Sequence, residues 1–247
     1  MPLTVLAIAD EVDRLLYDHF RAERWQGIDL VLSCGDLPPD YLDFLCTSLS
    51  VPVFYVRGNH DAGYQEPRYD GCVNLHGRIV TYQGVRLAGF EGCRRYNQGR
   101  YQYTEREMRG VVRRVKRQAL RHGTPDIILT HTPPARCHDG EDLCHRGFDC
   151  FISAIEAWRP AYLVHGHTHA YYGQQKVSTV QQTSVINAFP YRVFEVAVPE
   201  SRTARLHASP WRLPWRKTAE RLAGHGPPDA KTPPAVETGG VGDALLR

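Results

Sequence analysis

Five short apolar runs, each ending in a polar cluster, dominate the pattern of the chain. They are LTVLAIAD, IDLVLSCGD, VPVFYVRGNHD, DIILTHTPP and AYLVHGHTH. Continuous runs of this length, rich in β-branched residues, are typical of strands that are buried on both faces. Stretches with helical character lie between several of them, so the pattern predicts an α/β core built in layers.

A helix is predicted to begin after Thr104. Thr104 and Glu107 have the spacing of a capping box, and Gly123 is placed to end the helix. A second helix is predicted over residues 149–158, where Pro160 ends it. The apolar residues expected on one face of the first helix are Met108, Val111, Val112, Val115, Ala119 and Leu120.

The other apolar segments predict further strands. RIVTYQGVRLAGFEG has the pattern of a hairpin that turns near Gly84, and KVSTVQQTSVINAF and YRVFEVAV predict a final group of strands. After residue 205 the chain is rich in Pro, Gly and polar residues without periodicity. We therefore expect one α/β domain over 1–205 and a disordered tail over 206–247, with a short helix near 218–223.

Composition places the chain among soluble globular proteins. Of its 247 residues, 42% are hydrophobic and 23% are charged, which disfavours disordered and membrane-spanning classes. No apolar run approaches the roughly 20 residues that span a bilayer, so we expect no membrane insertion. The net charge of +3 is too small to favour a nucleic-acid partner. Seven cysteines without a CxxC pair predict reduced thiols and a cytoplasmic location; the oligomeric state stays open.

Side chains that bind metals follow each of the five runs. Because loops beyond the carboxyl ends of strands in open α/β sheets meet in one crevice, these side chains can converge. Singly, a GD dipeptide is a common turn, and a buried histidine is more often a hydrogen-bonded core residue. Five such strand ends in one chain favour a shared metal site. The residues are Asp10, Asp36, Asn59, His60, Asp61, His131, His167 and His169.

Taken in order, the motifs D…GD…GNHD…H…GHTH resemble those of the calcineurin-like metallophosphoesterase superfamily from Asp10 to His169. The resemblance implies a four-layer α/β/β/α sandwich with two mixed sheets. It also implies a centre of two divalent cations that hydrolyses phosphomonoesters or phosphodiesters. Carried over by position, one cation would be bound by Asp10, Asp36 and His169. The other would be bound by Asp36, which bridges the two, and by Asn59, His131 and His167.

The resemblance places His60 on the substrate side as the general acid, with Asp61 orienting its ring. Two cations about 3.5 to 4 Å apart lower the pKa of a bridging water, so a metal-bridging hydroxide is the expected nucleophile. A histidine can carry a proton near neutral pH and give it to the departing alkoxide. An oxygen-rich site beside a histidine-rich one suits Mn²⁺ first, with Fe, Zn²⁺ and Mg²⁺ as alternatives.

The first motif departs from the family pattern, Asp-x-His, because Val12 stands at the histidine position. Glu11 would point away from the site if the strand stays regular, since side chains alternate along a strand. Asp13 lies just beyond, where a turn can return it to a metal or to its water. Otherwise both carboxylates are solvated or cap the next helix. We expect a first metal that is held more weakly than its neighbour.

Two loops offer substrate contacts. Arg94 and Arg95 are interleaved with tyrosines, so they can clamp a phosphate while a tyrosine stacks on a base; the alternative is an exposed loop packed on the domain edge. His138 and His145 lie in a long loop after the fourth motif, where they can face substrate or cap the next helix.

The sequence predicts a cytoplasmic phosphoric ester hydrolase that acts on a small phosphorylated substrate through a dinuclear metal centre. The alternative is a non-catalytic, metal-binding scaffold of the same fold, weakened at the first metal by Val12. His60 and Asp61 favour the enzyme, because a scaffold does not need an acid.

Overall fold

The computed structural model of this chain describes residues 2–63, 65–169, 177–199 and 202. The predicted domain boundary at residue 205, the tail over 206–247 and its short helix lie outside the described residues.

Two large mixed sheets carry the fold. The first has the order β13-β1-β2-β3-β4, in which only β13 runs antiparallel to its neighbour. Its strands are β1 (Leu3–Ile8), β2 (Leu30–Ser33), β3 (Val53–Tyr55), β4 (Cys72–Asn74) and β13 (Tyr191–Val196).

The second sheet has four parallel strands between two antiparallel edge strands. Its strands, in spatial order, are β11 (Val177–Val180), β12 (Thr183–Asn187), β10 (Tyr162–His165), β9 (Ile127–Thr130), β6 (Val85–Phe90) and β5 (Ile79–Tyr82). A short parallel ribbon pairs β7 (Cys93–Arg94) with β8 (Gln102–Tyr103). The five apolar runs and the hairpin near Gly84 are thus confirmed as strands.

Alternate residues of β1 face two different cores. Val5 and Ala7 belong to the core between the sheets, whereas Leu6 and Ile8 pack beneath helix α1 (Pro39–Leu49). Helices α2 (Glu105–His122) and α3 (Asp149–Trp158) cover the outer face of the second sheet. Both faces of each sheet are therefore buried, which explains the continuous apolar runs and confirms the four layers.

The two predicted helices form at the expected places. Thr104 caps α2 with the reciprocal capping box, Gly123 is its C-cap, and α3 spans the predicted residues. The expectation for Leu120 was wrong, because its side chain is 84% exposed. At 100° per residue it lies about 120° around the helix from the buried Met108. The buried stripe is therefore narrower than the apolar pattern suggested.

No helix among the described segments is long and apolar enough to cross a membrane.

Candidate metal centre

Three of the predicted ligands lie on sharply turned backbone just after parallel strands. Asp10, Asp36 and His167 have positive φ angles of 64°, 56° and 67°. This left-handed conformation costs a residue with a Cβ roughly 1 to 2 kcal/mol, and it concentrates at functional sites. The turns follow β1, β2 and β10, so both sheets direct ligands toward one crevice.

The histidine-rich half of the predicted centre is assembled. Asp36, His131 and His167 each offer a ligand atom, and these atoms lie within 4.8 Å of one another. Nε2 of His131 is 3.3 Å from Oδ2 of Asp36 and 3.0 Å from Oδ1 of Asn59. The structure therefore brings together the four residues expected at the second cation.

Backbone carbonyls select the tautomers of both buried histidines. Nδ1 of His131 lies 2.8 Å from the carbonyl oxygen of Cys34, and Nε2 of His167 lies 2.9 Å from that of Cys144. A carbonyl oxygen only accepts hydrogen bonds, so each of these nitrogens carries a proton. Nε2 of His131 and Nδ1 of His167 are then the atoms that can bind a metal.

The charges at this site are strongly coupled. Burial opposes a charge on His131, but Asp36 and Asp10 together raise its pKa to about 9. Burial would likewise raise the pKa of Asp36, yet the His131 charge lowers it to about 2. Burial, followed by the His131 charge, lowers the pKa of His167 to about 3. Without a metal, a protonated His131 therefore neutralises part of the acidic cluster.

Asp10 has a carboxylate oxygen without a hydrogen bond. Its Oδ2 accepts a hydrogen bond from the backbone N–H of His167 at 2.8 Å, whereas the buried Oδ1 has no hydrogen-bond partner among the described residues and lies 4.0 Å from Nδ1 of His131. Burial raises the pKa of Asp10 to about 7. A buried, unpartnered carboxylate oxygen is costly, and a cation would satisfy it. The orphaned oxygen and the mixed oxygen and nitrogen donors together fit a divalent metal.

Two glycines allow the ligand loops to approach closely. A Cβ on Gly58 would collide with the carboxylate of Asp36, and a Cβ on Gly166 would lie 2.6 Å from Oδ2 of Asp10. The glycines in the GNHD and GHTH motifs are therefore required because side chains occupy the space beside them.

The carboxylate of Asp61 contacts two ligand loops. Its Oδ2 accepts hydrogen bonds from the backbone N–H groups of Asp36, at 3.0 Å, and Gly58, at 2.7 Å, and its buried Oδ1 has no hydrogen-bond partner among the described residues. His60 is exposed, so the two neighbouring side chains lie in different environments. The contacts of Asp61 support holding two ligand loops together rather than orienting the His60 ring.

The first half of the centre is less complete. His169 is exposed, and its ring stacks on Phe189 with centroids 4.8 Å apart. Burial lowers the pKa of His169 overall, while the charges of Asp36 and Glu11 act in the opposite direction. His169 therefore lies within electrostatic reach of the acidic cluster, at its rim.

The region of the missing ligand is turned, not extended. The backbone N–H of Glu11 donates to the carbonyl of Ala9 at 2.7 Å, just after the left-handed Asp10. The alternation argument that directed Glu11 away from the site therefore fails after β1. Asp13 closes a local turn instead of capping a helix: its Oδ1 accepts from the N–H of Leu15 at 2.8 Å, and residues 14–19 form a turn. Val12 packs against the outer core.

Three of the four substrate candidates are engaged elsewhere. Arg94 contacts the carbonyl of Gly147 at 3.1 Å, and its guanidinium lies over Phe148. Arg95 pairs with Glu107 at 3.0 Å. These contacts support a structural role for both arginines, because their guanidinium groups already have partners within the fold.

His138 bridges two neighbours in the second sheet. Its Nδ1 is 2.8 Å from Nε2 of His165, and its Nε2 is 2.8 Å from Oγ of Ser178. Both ring nitrogens are thus used within the fold, which does not support substrate contact. His145 remains at the rim, with its ring centroid 5.0 Å from that of His167.

Sequence reasoning missed the backbone groups that orient the ligands. The carbonyls of Cys34 and Cys144 carry no signal in the identity of their side chains. The tyrosines near Arg94 and Arg95 were expected to stack on a base or to pack at the domain edge, yet the hydroxyl of one of them, Tyr96, lies 3.4 Å from Nδ2 of Asn59. This contact directs the amide nitrogen toward Tyr96 and leaves Oδ1 facing His131.

Comparisons with known proteins agree with this fold and motif order. The model of the calcineurin-like phosphoesterase family matches residues 8–171. One solved structure is 18% identical, with a TM-score of 0.59 over 81% of this chain and 100% of that chain. Another, TT1561 of Thermus thermophilus, is 15% identical, with a TM-score of 0.55 over the same shares of the two chains. None of the curated proteins matches the sequence.

At these identities the solved structures show the fold alone. The family match spans the segment that carries Asp10, Asp36, Asn59, His131 and His167. The chain belongs to the calcineurin-like phosphoesterase family.

Proposed function

We propose that this chain is a dinuclear metallophosphoesterase that hydrolyses phosphomonoester or phosphodiester bonds of a small substrate. Its family supports metal-dependent phosphoesterase activity. The observation that carries the proposal is the convergence of Asp36, His131 and His167 beside the orphaned carboxylate oxygen of Asp10.

Two sets of residues would hold the cations, with Mn²⁺ our first choice. When bound, the cations would supply a hydroxide nucleophile and neutralise the charge that develops on the phosphoryl oxygens. The first cation would be held by Asp10, Asp36 and His169. The second would be held by Asp36, Asn59, His131 and His167.

The chain's own residues prepare the site for an anionic substrate. The carbonyls of Cys34 and Cys144 hold protons on Nδ1 of His131 and Nε2 of His167, so Nδ1 of His167, and Nε2 of His131 once it has lost its proton, are the nitrogens that would bind a metal. Asn59 is neutral, which limits the negative charge that would repel a phosphate. Asp61 holds the loop of Asp36 against the loop of Gly58, so the carboxylate keeps its position.

His60 is our candidate for the general acid. It follows Asn59 directly, its side chain is exposed, and its backbone N–H donates to Oδ1 of Asp36 at 2.8 Å. The backbone is thereby anchored beside the cluster while the imidazole stays accessible to substrate. A protonated ring nitrogen can then transfer its proton to the leaving oxygen.

The test is His60→Asn, with His122→Asn as the matched control at an exposed helix end. Because general acid catalysis contributes about 10²- to 10⁴-fold, we expect kcat to fall by at least a hundredfold while metal content is unchanged. Hydrolysis of bis-p-nitrophenyl phosphate and p-nitrophenyl phosphate after Mn²⁺ addition measures kcat. Equal rates for His60→Asn and His122→Asn would remove His60 from the mechanism.

The second candidate function is a non-catalytic scaffold of the same fold. Val12, at the expected histidine position, packs against the outer core and offers no ligand. Elemental analysis after loading with Mn²⁺ separates the candidates. Two metals per chain with turnover support the enzyme, whereas one metal or none, without turnover under any divalent cation, supports the scaffold.

We also propose a cytoplasmic location. The seven cysteines are free thiols in the structure, as expected in a reducing compartment. Fluorescence imaging of a tagged chain in its native cell tests the location.

A further inference from the structure

A second cluster of metal-binding atoms lies beside the proposed centre. The thiols of Cys93 and Cys144 and a ring nitrogen of His167 all lie within 4.8 Å of one another. Cys93 is buried in β7, and Cys144 is half-buried in the loop before α3. The Cys93 thiol donates to the carbonyl of Arg94 at 3.3 Å. Neither thiol belongs to the proposed phosphoesterase centre, whereas His167 does.

The dimensions of the cluster match a tetrahedral ion. Sγ of Cys144 lies 3.9 Å from Nε2 of His167. Zinc bonds of about 2.3 Å to sulfur and about 2.0 to 2.1 Å to nitrogen place two such ligands about 3.6 Å apart. The other pairs of ligand atoms lie within 4.8 Å, so metal binding would draw the half-buried Cys144 and its neighbours closer together. Three protein ligands would leave a fourth position for water.

The donors select a different class of cation from the proposed catalytic one. Two thiolates and an imidazole are soft or borderline ligands, which favour Zn²⁺, Cd²⁺ or Cu⁺ over Mn²⁺ and Mg²⁺. Binding of a divalent ion would release the proton of each thiol to solvent. Among the described residues, the adjacent Cys46 and Cys72 thiols belong to no such group of three donors.

His167 belongs to both groups of three donors that the described residues form. A neutral imidazole has one lone pair. While Nε2 donates its proton to the carbonyl of Cys144, that lone pair is on Nδ1 and serves the Asp36 group. If Nε2 binds a metal beside the thiols, the proton moves to Nδ1. One neutral ring therefore cannot serve both cations at once.

We propose that Cys93, Cys144 and His167 form a separate site for a thiophilic cation of the Zn²⁺ class, and that its occupation withdraws His167 from the neighbouring centre. Binding at the thiols stands on its own geometry, whereas the competition rests on the proposed function. The site would make hydrolysis sensitive to thiophilic metals.

Cadmium titration of the reduced, metal-free full chain tests binding without any need for activity. The readout is the ultraviolet charge-transfer absorption of thiolate bound to Cd²⁺. We expect saturation at one Cd²⁺ per chain, and Cys93→Ser and Cys144→Ser should each weaken binding at least about tenfold, since even outer contacts to metal ligands are worth that much. Cys72→Ser is the matched control and should bind as the unmodified chain does. Undiminished binding in both site variants, or equal loss in Cys72→Ser, overturns the site.

Inhibition of hydrolysis tests the competition separately. The Mn²⁺-loaded chain should be inhibited by Zn²⁺ or Cd²⁺, and Cys144→Ser should raise the inhibitory concentration at least about tenfold relative to Cys72→Ser. If the Cd²⁺ titration supports the thiolate site but Cys144→Ser does not shift the inhibitory concentration, the proposed competition is wrong. If no metal supports hydrolysis while the absorption marks the site, the proposed function fails and the thiophilic site stands.

Discussion

At the scale of single residues, the site depends on glycines, which have no side chain, as much as on the proposed ligands. Gly166 lies between Ala9 and the carboxylate of Asp10. A Cβ added to Gly166 would lie 2.7 Å from the Cβ of Ala9. Neither neighbour is the end of a flexible side chain free to move away. The N–H of His167 donates a hydrogen bond to Asp10 beside this glycine. Gly166 therefore allows the two proposed ligands to lie close together.

Gly166→Ala should therefore disrupt metal binding. Overpacking of this kind costs about 1 to 3 kcal/mol, and displacing Asp10 should remove most of the bound metal. The matched control is Gly110→Ala in α2, where a Cβ meets nothing within 4 Å and should stabilise the helix by about 0.5 to 1 kcal/mol. Urea unfolding and elemental analysis measure both effects. Normal metal content in Gly166→Ala would show that the contact does not position Asp10.

His131 predicts how the stability of the metal-free chain depends on pH. Its pKa rises from 6.5 to about 9 on folding, through Asp36 and Asp10 acting against burial. The stabilisation is complete below pH 6.5 and is lost as pH rises through about 9. In chelator, Tm should therefore fall from about pH 7 to about pH 9, and His131→Gln should flatten this slope.

Excess Mn²⁺ is the control for that experiment. Metal and proton compete for Nε2 of His131, so loss of the proton favours metal binding. The fall in Tm should become smaller or reverse, as measured by circular dichroism. Identical slopes with and without Mn²⁺ would contradict binding at this ring.

At the scale of elements, α2 illustrates how local signals set a boundary. Thr104 accepts from the N–H of Glu107, and the Glu107 carboxylate accepts from the N–H of Thr104 at 2.7 Å. The carbonyl end is closed by Gly123, whose N–H donates to the carbonyl of Ala119. These interactions involve residues close in sequence, which is why the sequence alone located this helix.

Thr104→Ala should destabilise the chain by about 1 kcal/mol, because it removes the N-cap acceptor. Thr104→Ser retains the hydroxyl and should stay within about half that cost. Urea unfolding gives both free energies. A Thr104→Ala variant as stable as Thr104→Ser would mean that packing of α2 alone fixes its start.

The predicted parts of the fold are those that depend on local pattern. Strands with apolar residues on both faces, the hairpin near Gly84, and helix α3 were all readable from the sequence. Helix α1 was not located, although Pro39 stands at its first position, where proline favours a helix start. The turned backbone at Asp10 was also missed, since it depends on the hydrogen bond of its carboxylate to a loop 157 residues away.

The candidate site also has parts that the sequence predicted and parts that it could not predict. Motif order located Asp36, His131 and His167, since their types and spacing are specific. The actual partners of Arg94 and His138 could not be foreseen, because each pairs with residues that only the folded chain brings near.

At the scale of the whole molecule, one late residue ties the segment after β13 to the second sheet. Arg202 contacts Asp126 just before β9, with Nη2 3.0 Å from Oδ1, and its Nη1 donates to the carbonyl of Gly84 at 3.1 Å. Asp126 also accepts from the N–H of Arg86 at 2.8 Å. The carboxylate therefore joins the hairpin, the start of β9 and the segment after β13.

A chain that ends at residue 205 should keep its Tm and metal content, whereas one that ends at residue 199 should lose stability. The difference follows from the partly buried Arg202 pair, with about 1.5 to 3 kcal/mol expected for hydrogen bonds to charged groups. Arg202→Ala in the full chain is the matched variant and should reproduce most of the loss. Equal stability of the two shortened chains would show that the pair contributes little.

The proposed metal ligands are divided between the two sheets. Asp10, Asp36 and Asn59 follow strands of the first sheet, while His131 and His167 follow strands of the second. A cation bound by both groups would add a further connection between two sheets that already contact each other through an apolar core and through hydrogen bonds such as that from the N–H of His167 to Asp10. Loss of the metal would weaken the contact between the two sheets and make the chain easier for proteases to cut. The supply of divalent metal in the cell would then govern how long each molecule survives, as well as how fast it works.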